Sequence, residues 1–195
     1  MSRAIFLSAS VPDERRDPKY HLTADRSAIR DAVKALVTVC GAETTLVWGG
    51  HPAITPLVRV VLMNLGTITT AKVKLFQSTY FQKVLPEDNM SFESVTYIAA
   101  VDGSREESLL KMRRAMLASE RFEAGVFIGG MEGVEAEYDL FRDMHPRAAV
   151  LPIASSGAAA QILYDRDRSL FQEELNSDLA YASLFRKLLS RKLTE

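Results

Sequence analysis

Residues 44–66 read TTLVWGGHPAITPLVRVVLMNLG. An apolar, β-leaning run ends on Gly49-Gly50, His51-Pro52 follows, and apolar residues at helical spacing begin at once. A buried strand that stops at glycines and turns directly into a helix is the repeating unit of a parallel α/β sheet. The same arrangement recurs in AGVFIGGMEGVEAEYDLF (124–141) and, with serines leading the glycine, in AAVLPIASSGAAA (148–160).

Working outward, AIFLSAS (4–10) predicts a first buried strand, and the polar, proline-bearing segment 11–25 predicts a long loop. Ile29, Ala32, Val33, Leu36, Val37 and Cys40 recur at three- and four-residue spacing, which predicts a helix over 26–40 capped by Asp25 and stopped at Gly41. Strand two (44–50) leads into a helix over 53–66. Strand three is expected at 71–78 and strand four at 94–101, with a helix over 104–119 opened by Asp102-Gly103-Ser104. Strand five (124–130) precedes a helix over 133–144, and strand six (148–156) a helix over 157–164. A last helix over 179–193 carries Leu179, Leu184, Phe185, Leu188 and Leu189 on one stripe. The expected fold is α/β, a three-layer doubly wound, mostly parallel sheet of Rossmann-like type, in one domain spanning 1–195.

The chain of 195 residues holds 24 basic and 25 acidic residues. That balance gives no electrostatic reason to expect nucleic acid or an anionic membrane as a main partner. The single cysteine, Cys40, cannot form an internal disulfide and lies in the apolar phase of its helix, which fits a packing role in a reducing compartment. MSRAIFLSAS is too short in apolar residues for a signal peptide and no 18-residue apolar run occurs, so a cytoplasmic location is expected. No metal is expected: His21, His51 and His145 are far apart and neither CxxC nor HExxH occurs. GxGxxG, GxxxxGKS/T and GxSxG are absent as well, so no dinucleotide or P-loop cofactor and no serine-hydrolase elbow is expected.

In a sheet of this kind ligands bind outside the carboxyl ends of the strands. Glycines there let backbone approach a ligand, and the next helix start offers free N–H groups to an anion. Three junctions qualify: Gly49-Gly50-His51, Gly129-Gly130 with Gly133, and Ser155-Ser156-Gly157. Ser8 and Ser10 close strand one at the same edge, and Gln77 and Ser78 close strand three. Tyr80 and Phe81 follow as candidates to stack on a base, and Arg15, Arg16 and Lys19 as a basic loop able to cover an anion.

These residues carry a family resemblance. AIFLSAS, then LVWGGHPAI, then KMRRAMLASERFEAGVFIGGMEGVEAEYDLF, over about residues 4–160, resembles the SLOG superfamily of Rossmann-like domains. It groups LOG phosphoribohydrolases with DNA-processing and ligand-sensing domains. By that resemblance, Arg113, with Arg114 as rival, contacts a phosphate or ribose. Glu135 or Glu137 stands for the acid that ends the PGGxGTxxE turn of LOG enzymes. In a hydrolase that acid assists cleavage of an N-glycosidic bond; in a sensor it accepts from ribose hydroxyls. The turn departs from the enzyme pattern, with Ile128 for the proline, one extra residue before Gly133, and Val134 for the threonine. The form is closer to prokaryotic SLOG domains of conflict and antiviral systems. The resemblance implies a nucleotide-derived ligand such as ADP-ribose, a homodimer or higher homo-oligomer, and an effector protein. Its alternative is hydrolysis of a nucleoside monophosphate to base and ribose 5-phosphate.

Overall fold

The computed structural model describes residues 3–67, 72–85 and 87–190. Six strands, β1 (Arg3–Ser10), β2 (Thr44–Trp48), β3 (Val73–Ser78), β4 (Ser94–Ile98), β5 (Ala124–Gly129) and β6 (Ala149–Ile153), form one sheet in the order β4-β3-β2-β1-β5-β6. Every pairing is parallel. β1 lies inside the sheet, with Leu7 beside Trp48 of β2 and Ser10 beside Gly129 of β5. The strand order reverses there, and the crevice of a doubly wound sheet opens at such a reversal.

Eight α-helices occur among the described residues: α1 (Pro18–His21), α2 (Arg26–Cys40), α3 (Thr55–Asn64), α4 (Arg105–Leu117), α5 (Glu132–Met144), α6 (Ala158–Arg166), α7 (Glu174–Ser177) and α8 (Tyr181–Ser190). Successive side chains of β1 point to opposite faces. Ile5 and Leu7 join Ile29, Val58, Leu184 and Phe185 in the α2–α3–α8 layer. Ala4 and Phe6 join Met112, Met116, Phe141 and Leu163 in the α4–α5–α6 layer, where the Phe6 and Phe141 rings stack 5.5 Å apart. A sheet buried on both faces needs near-continuous apolar strands, which explains the runs read from the sequence.

Several predicted boundaries shift, each for a local reason. Strand six ends at Ile153 because Ser156 Oγ donates back to the Ile153 carbonyl at 2.5 Å and folds 154–156 into a 3₁₀ turn. Strand four ends at Ile98, since the Ala100 and Val101 N–H groups are taken by Thr79 Oγ1 and Ser108 Oγ. The helix expected from 53 begins at Thr55, after the His51 carbonyl accepts from the Ile54 and Thr55 N–H groups. The loop 11–25 contains α1, started by Asp17 and Pro18. Leu179 is exposed ahead of α8 and does not join the buried stripe of Leu184, Phe185 and Leu189. Ala71, the expected start of strand three, and 191–193, the expected end of the last helix, lie outside the described residues. No described helix is long and apolar enough to cross a membrane.

Candidate functional site

The phase that sends Phe6 into the α4–α5 layer also sends Ser8 and Ser10 there, one and two steps nearer the carboxyl edge. A cavity of about 330 Å³ opens at that edge, bounded by the ends of β1, β2 and β3, the inner stripe of α4 and the first turns of α5. Its size falls in the range of small-ligand sites.

Three side chains make its polar floor. Ser8 Oγ donates to Glu137 Oε2 at 2.6 Å, and Arg113 Nε donates to Glu137 Oε1 at 3.2 Å. Arg113 and Glu137 are only 14% and 13% exposed, so water screens their attraction weakly. The pair leaves capacity on both sides: a carboxylate oxygen accepts more than one bond, and Arg113 keeps its terminal nitrogens. A Cβ at Gly133 would stand 3.1 Å from Arg113 Nη2. The absence of a side chain at Gly133 therefore leaves room for the guanidinium.

The β2 junction forms one wall. At Gly49 the Met112 and Met116 side chains of α4 come to van der Waals contact distance of an added Cβ. Gly50 has φ +67, and a Cβ there would collide with the Gln77 amide, so this glycine gives Gln77 its place on the lining. His51 follows. Its Nδ1 accepts from the Ala53 N–H at 3.2 Å, which puts the proton of the neutral ring on Nε2. Burial pushes its pKa below the usual 6.5, holding the ring neutral with Nε2–H as a donor.

The opposite wall is the start of α5. Met131 provides no side-chain cap, so the first N–H groups, at Glu132 and Gly133, have no partner within the helix. Glu132 pairs with Arg16 of the loop after β1, and both residues line the mouth. Arg16 is thus the member of the expected basic loop that reaches the cavity. Arg15 pairs with Asp13 in solvent, and Lys19 reaches Glu135 at 3.4 Å.

Other candidates stand apart from the lining. Gly129 and Gly130 shape the turn before α5. The Gly130 N–H donates to the Ser10 carbonyl at 2.9 Å and Ser156 Oγ accepts from the Gly129 N–H at 2.8 Å, while the Ile29 side chain fills the space a Cβ at Gly129 would need. Glu135 points to the outer network: its carboxylate accepts from Tyr20 Oη at 2.5 Å and pairs with Arg166 at 3.2 Å. Ser78 is fully buried and starts the 3₁₀ turn 79–84 by accepting from the Tyr80 N–H. Ser155 donates to the Asp178 carbonyl, and Ser156 is buried in the turn already described. The third junction is closed by the loop before α2. Thr23 Oγ1 caps α6 at Ala158, and the Thr23 carbonyl occupies the space a Cβ at Gly157 would need. Arg114 and Tyr80 do not line the cavity, whereas Phe81 does.

The lining thus gathers Ser8, Ser10, Gly49, Gly50, His51, Gln77, Arg113, Gly133 and Glu137. Sequence reading missed Arg105, Leu109 and Met112, which complete a stripe with Arg113 at helical spacing along α4, and the apolar Trp48 and Leu85. The i, i+4, i+7, i+8 pattern from Arg105 would have found the stripe. Among the described residues no group of three or more His, Cys, Asp or Glu could hold a metal ion.

The family model described as the SLOG cluster3 family matches residues 19–189, and the chain belongs to that family. Membership points to a nucleotide-related ligand, bound or processed. No curated protein matches the chain.

Proposed function

We propose that this SLOG cluster3 protein binds a nucleotide-derived signal, an ADP-ribose-like or cyclic-nucleotide-type molecule, without consuming it. The observation that carries the reading is Glu137, a shielded carboxylate whose two oxygens are held by Ser8 and Arg113 on the floor of the cavity. A carboxylate whose two oxygens are oriented by two donors still has lone pairs to accept from vicinal ribose hydroxyls. The terminal nitrogens of Arg113, Nε2–H of His51 and the free N–H groups opening α5 are donors suited to phosphate oxygens. Leu85, Leu109 and Met112 supply apolar surface for a base. Val134 stands where the hydrolase turn has a threonine, so that hydroxyl is lost. The signal passes onward through an effector protein or through association of copies, as in a prokaryotic antiviral or stress system.

The second reading is hydrolysis, favoured by Arg113 and Glu137 sharing one cavity in the order LOG enzymes use. There Glu137 stabilises positive charge on the ribose as the bond to the base breaks, water adds to the anomeric carbon, and the base leaves with a proton. One experiment separates the two. The protein is heated with AMP, ADP-ribose, cyclic ADP-ribose or NAD, and each mixture is chromatographed for free base. A ligand at a hundred times its dissociation constant adds about 2.7 kcal/mol of stability. A rise in melting temperature without released base, lost in Arg113→Ala, supports sensing. Released base, lost in Glu137→Gln, establishes hydrolysis. Neither shift nor cleavage with any nucleotide overturns both.

A further inference from the structure

We propose, resting on the nucleotide reading above, that the ligand carries two separate anionic groups and that Arg105 selects for the second. α4 presents Arg105, Leu109, Met112 and Arg113 to the cavity, a stripe with a cation at each end and apolar residues between. The two arginines are eight residues apart, about 12 Å along the helix axis. Side chains of that reach serve two groups on one molecule; a lone phosphate on Arg113 does not need Arg105.

The two cations differ in how far they are already committed. Arg113 is spent in part on Glu137. Arg16, the third cation of the lining, is paired with Glu132. Arg105 makes no ion pair with another described residue; its guanidinium lies 5.9 Å from the centre of the Phe81 ring. Its acidic neighbours Glu106 and Glu107 are one and two positions on, where helix geometry turns them away from it. A guanidinium resting on an aromatic face keeps its edge N–H groups free, and that edge binds phosphate in two-point fashion. Phe81 also lines the cavity, so the arginine is held against the mouth.

The test measures dissociation constants for two matched pairs of probes, each pair differing by one remote phosphate. The pairs are AMP with adenosine 3′,5′-bisphosphate, and ADP-ribose with 2′-phospho-ADP-ribose. In the unaltered protein at least one pair shows a tenfold or greater gain from the added phosphate. Arg105→Ala brings that gain to within twofold of none and leaves the probe without the added phosphate bound as before. Arg105→Lys keeps the charge but loses the fork, and restores only part of the gain. If the simpler probes bind and neither pair shows a gain, or the gain survives Arg105→Ala, the second anionic subsite is overturned while the nucleotide reading stands. If none of the four probes binds, the nucleotide reading itself has failed.

Discussion

Arg113 and Glu137 meet at 3.2 Å on the cavity floor, brought together from α4 and α5, neighbouring helices on one face of the sheet. Glu135, two residues earlier, points instead to Tyr20 and Arg166. Two acids two positions apart on α5 thus have separable roles. Glu137→Gln should weaken nucleotide binding by about 1.5–3 kcal/mol, roughly ten- to a hundredfold, the worth of a hydrogen bond to a charged group. Glu135→Gln should leave binding within twofold and cost about 1 kcal/mol of stability, a fall of roughly 2–4 °C in melting temperature. Titration calorimetry and melting curves on the two variants check both.

Gly133 carries a trade between stability and binding. It sits in the first turn of α5, where alanine is the better helix former by about 0.5–1 kcal/mol. The methyl of Gly133→Ala, 3.1 Å from Arg113 Nη2, displaces the end of a flexible side chain and no backbone. The variant should melt slightly higher and bind several-fold more weakly. A loss of both, or of neither, in paired melting and binding curves would contradict the placement of Arg113.

At Gly157 no such concession is available. The residue has φ +71, and the atom in the way of a Cβ is the backbone oxygen of Thr23. Gly157→Ala should cost about 3 kcal/mol or more, combining a left-handed residue with overpacking. Thermal denaturation should show a fall of roughly 6–12 °C.

His51 sets an acid limb on stability. Its folded-state pKa lies below the unfolded value of 6.5 because burial disfavours the charged ring. The unfolded chain therefore binds the proton more readily, and stability is full above pH 6.5 and is lost as pH falls towards the folded pKa. His51→Gln should flatten this part of the melting temperature profile below pH 6.5 relative to the unaltered protein. Nitrogen NMR of the ring should show Nε2 protonated and Nδ1 bare at pH 7.

The architecture was legible because a parallel sheet buried on both faces leaves a strong mark: apolar runs such as LVW and AGVFI, each ending in small residues. Helix α2 followed from its spacing between Asp25 and Gly41. Side-chain direction left a weaker mark. Glu135 and Glu137 are indistinguishable as first- and second-turn acids until α1 and α6 are packed against one side of α5. The glycine pairs look alike in sequence, yet Gly49-Gly50 borders the cavity and Gly129-Gly130 serves a turn against Ile29. What separates them is contact with residues far along the chain, Gln77 in one case and Ile29 in the other, and no local pattern carries it. Arg105 escaped because a lone arginine after a serine cap resembles any solvated helix start.

Ser8 and Glu137 are 129 positions apart in the chain, and β1, synthesised before β5, gains that neighbour only after residue 124. At a ribosomal pace of about 5–20 residues per second, β1 waits roughly 6–23 s for half of its hydrogen bonds. Pairings across such separations close slowly and leave apolar strand edges open meanwhile. The price of placing so distant a pair of strands at the centre of the site is a nascent chain that offers AIFLSAS to other chains before its own β5 arrives.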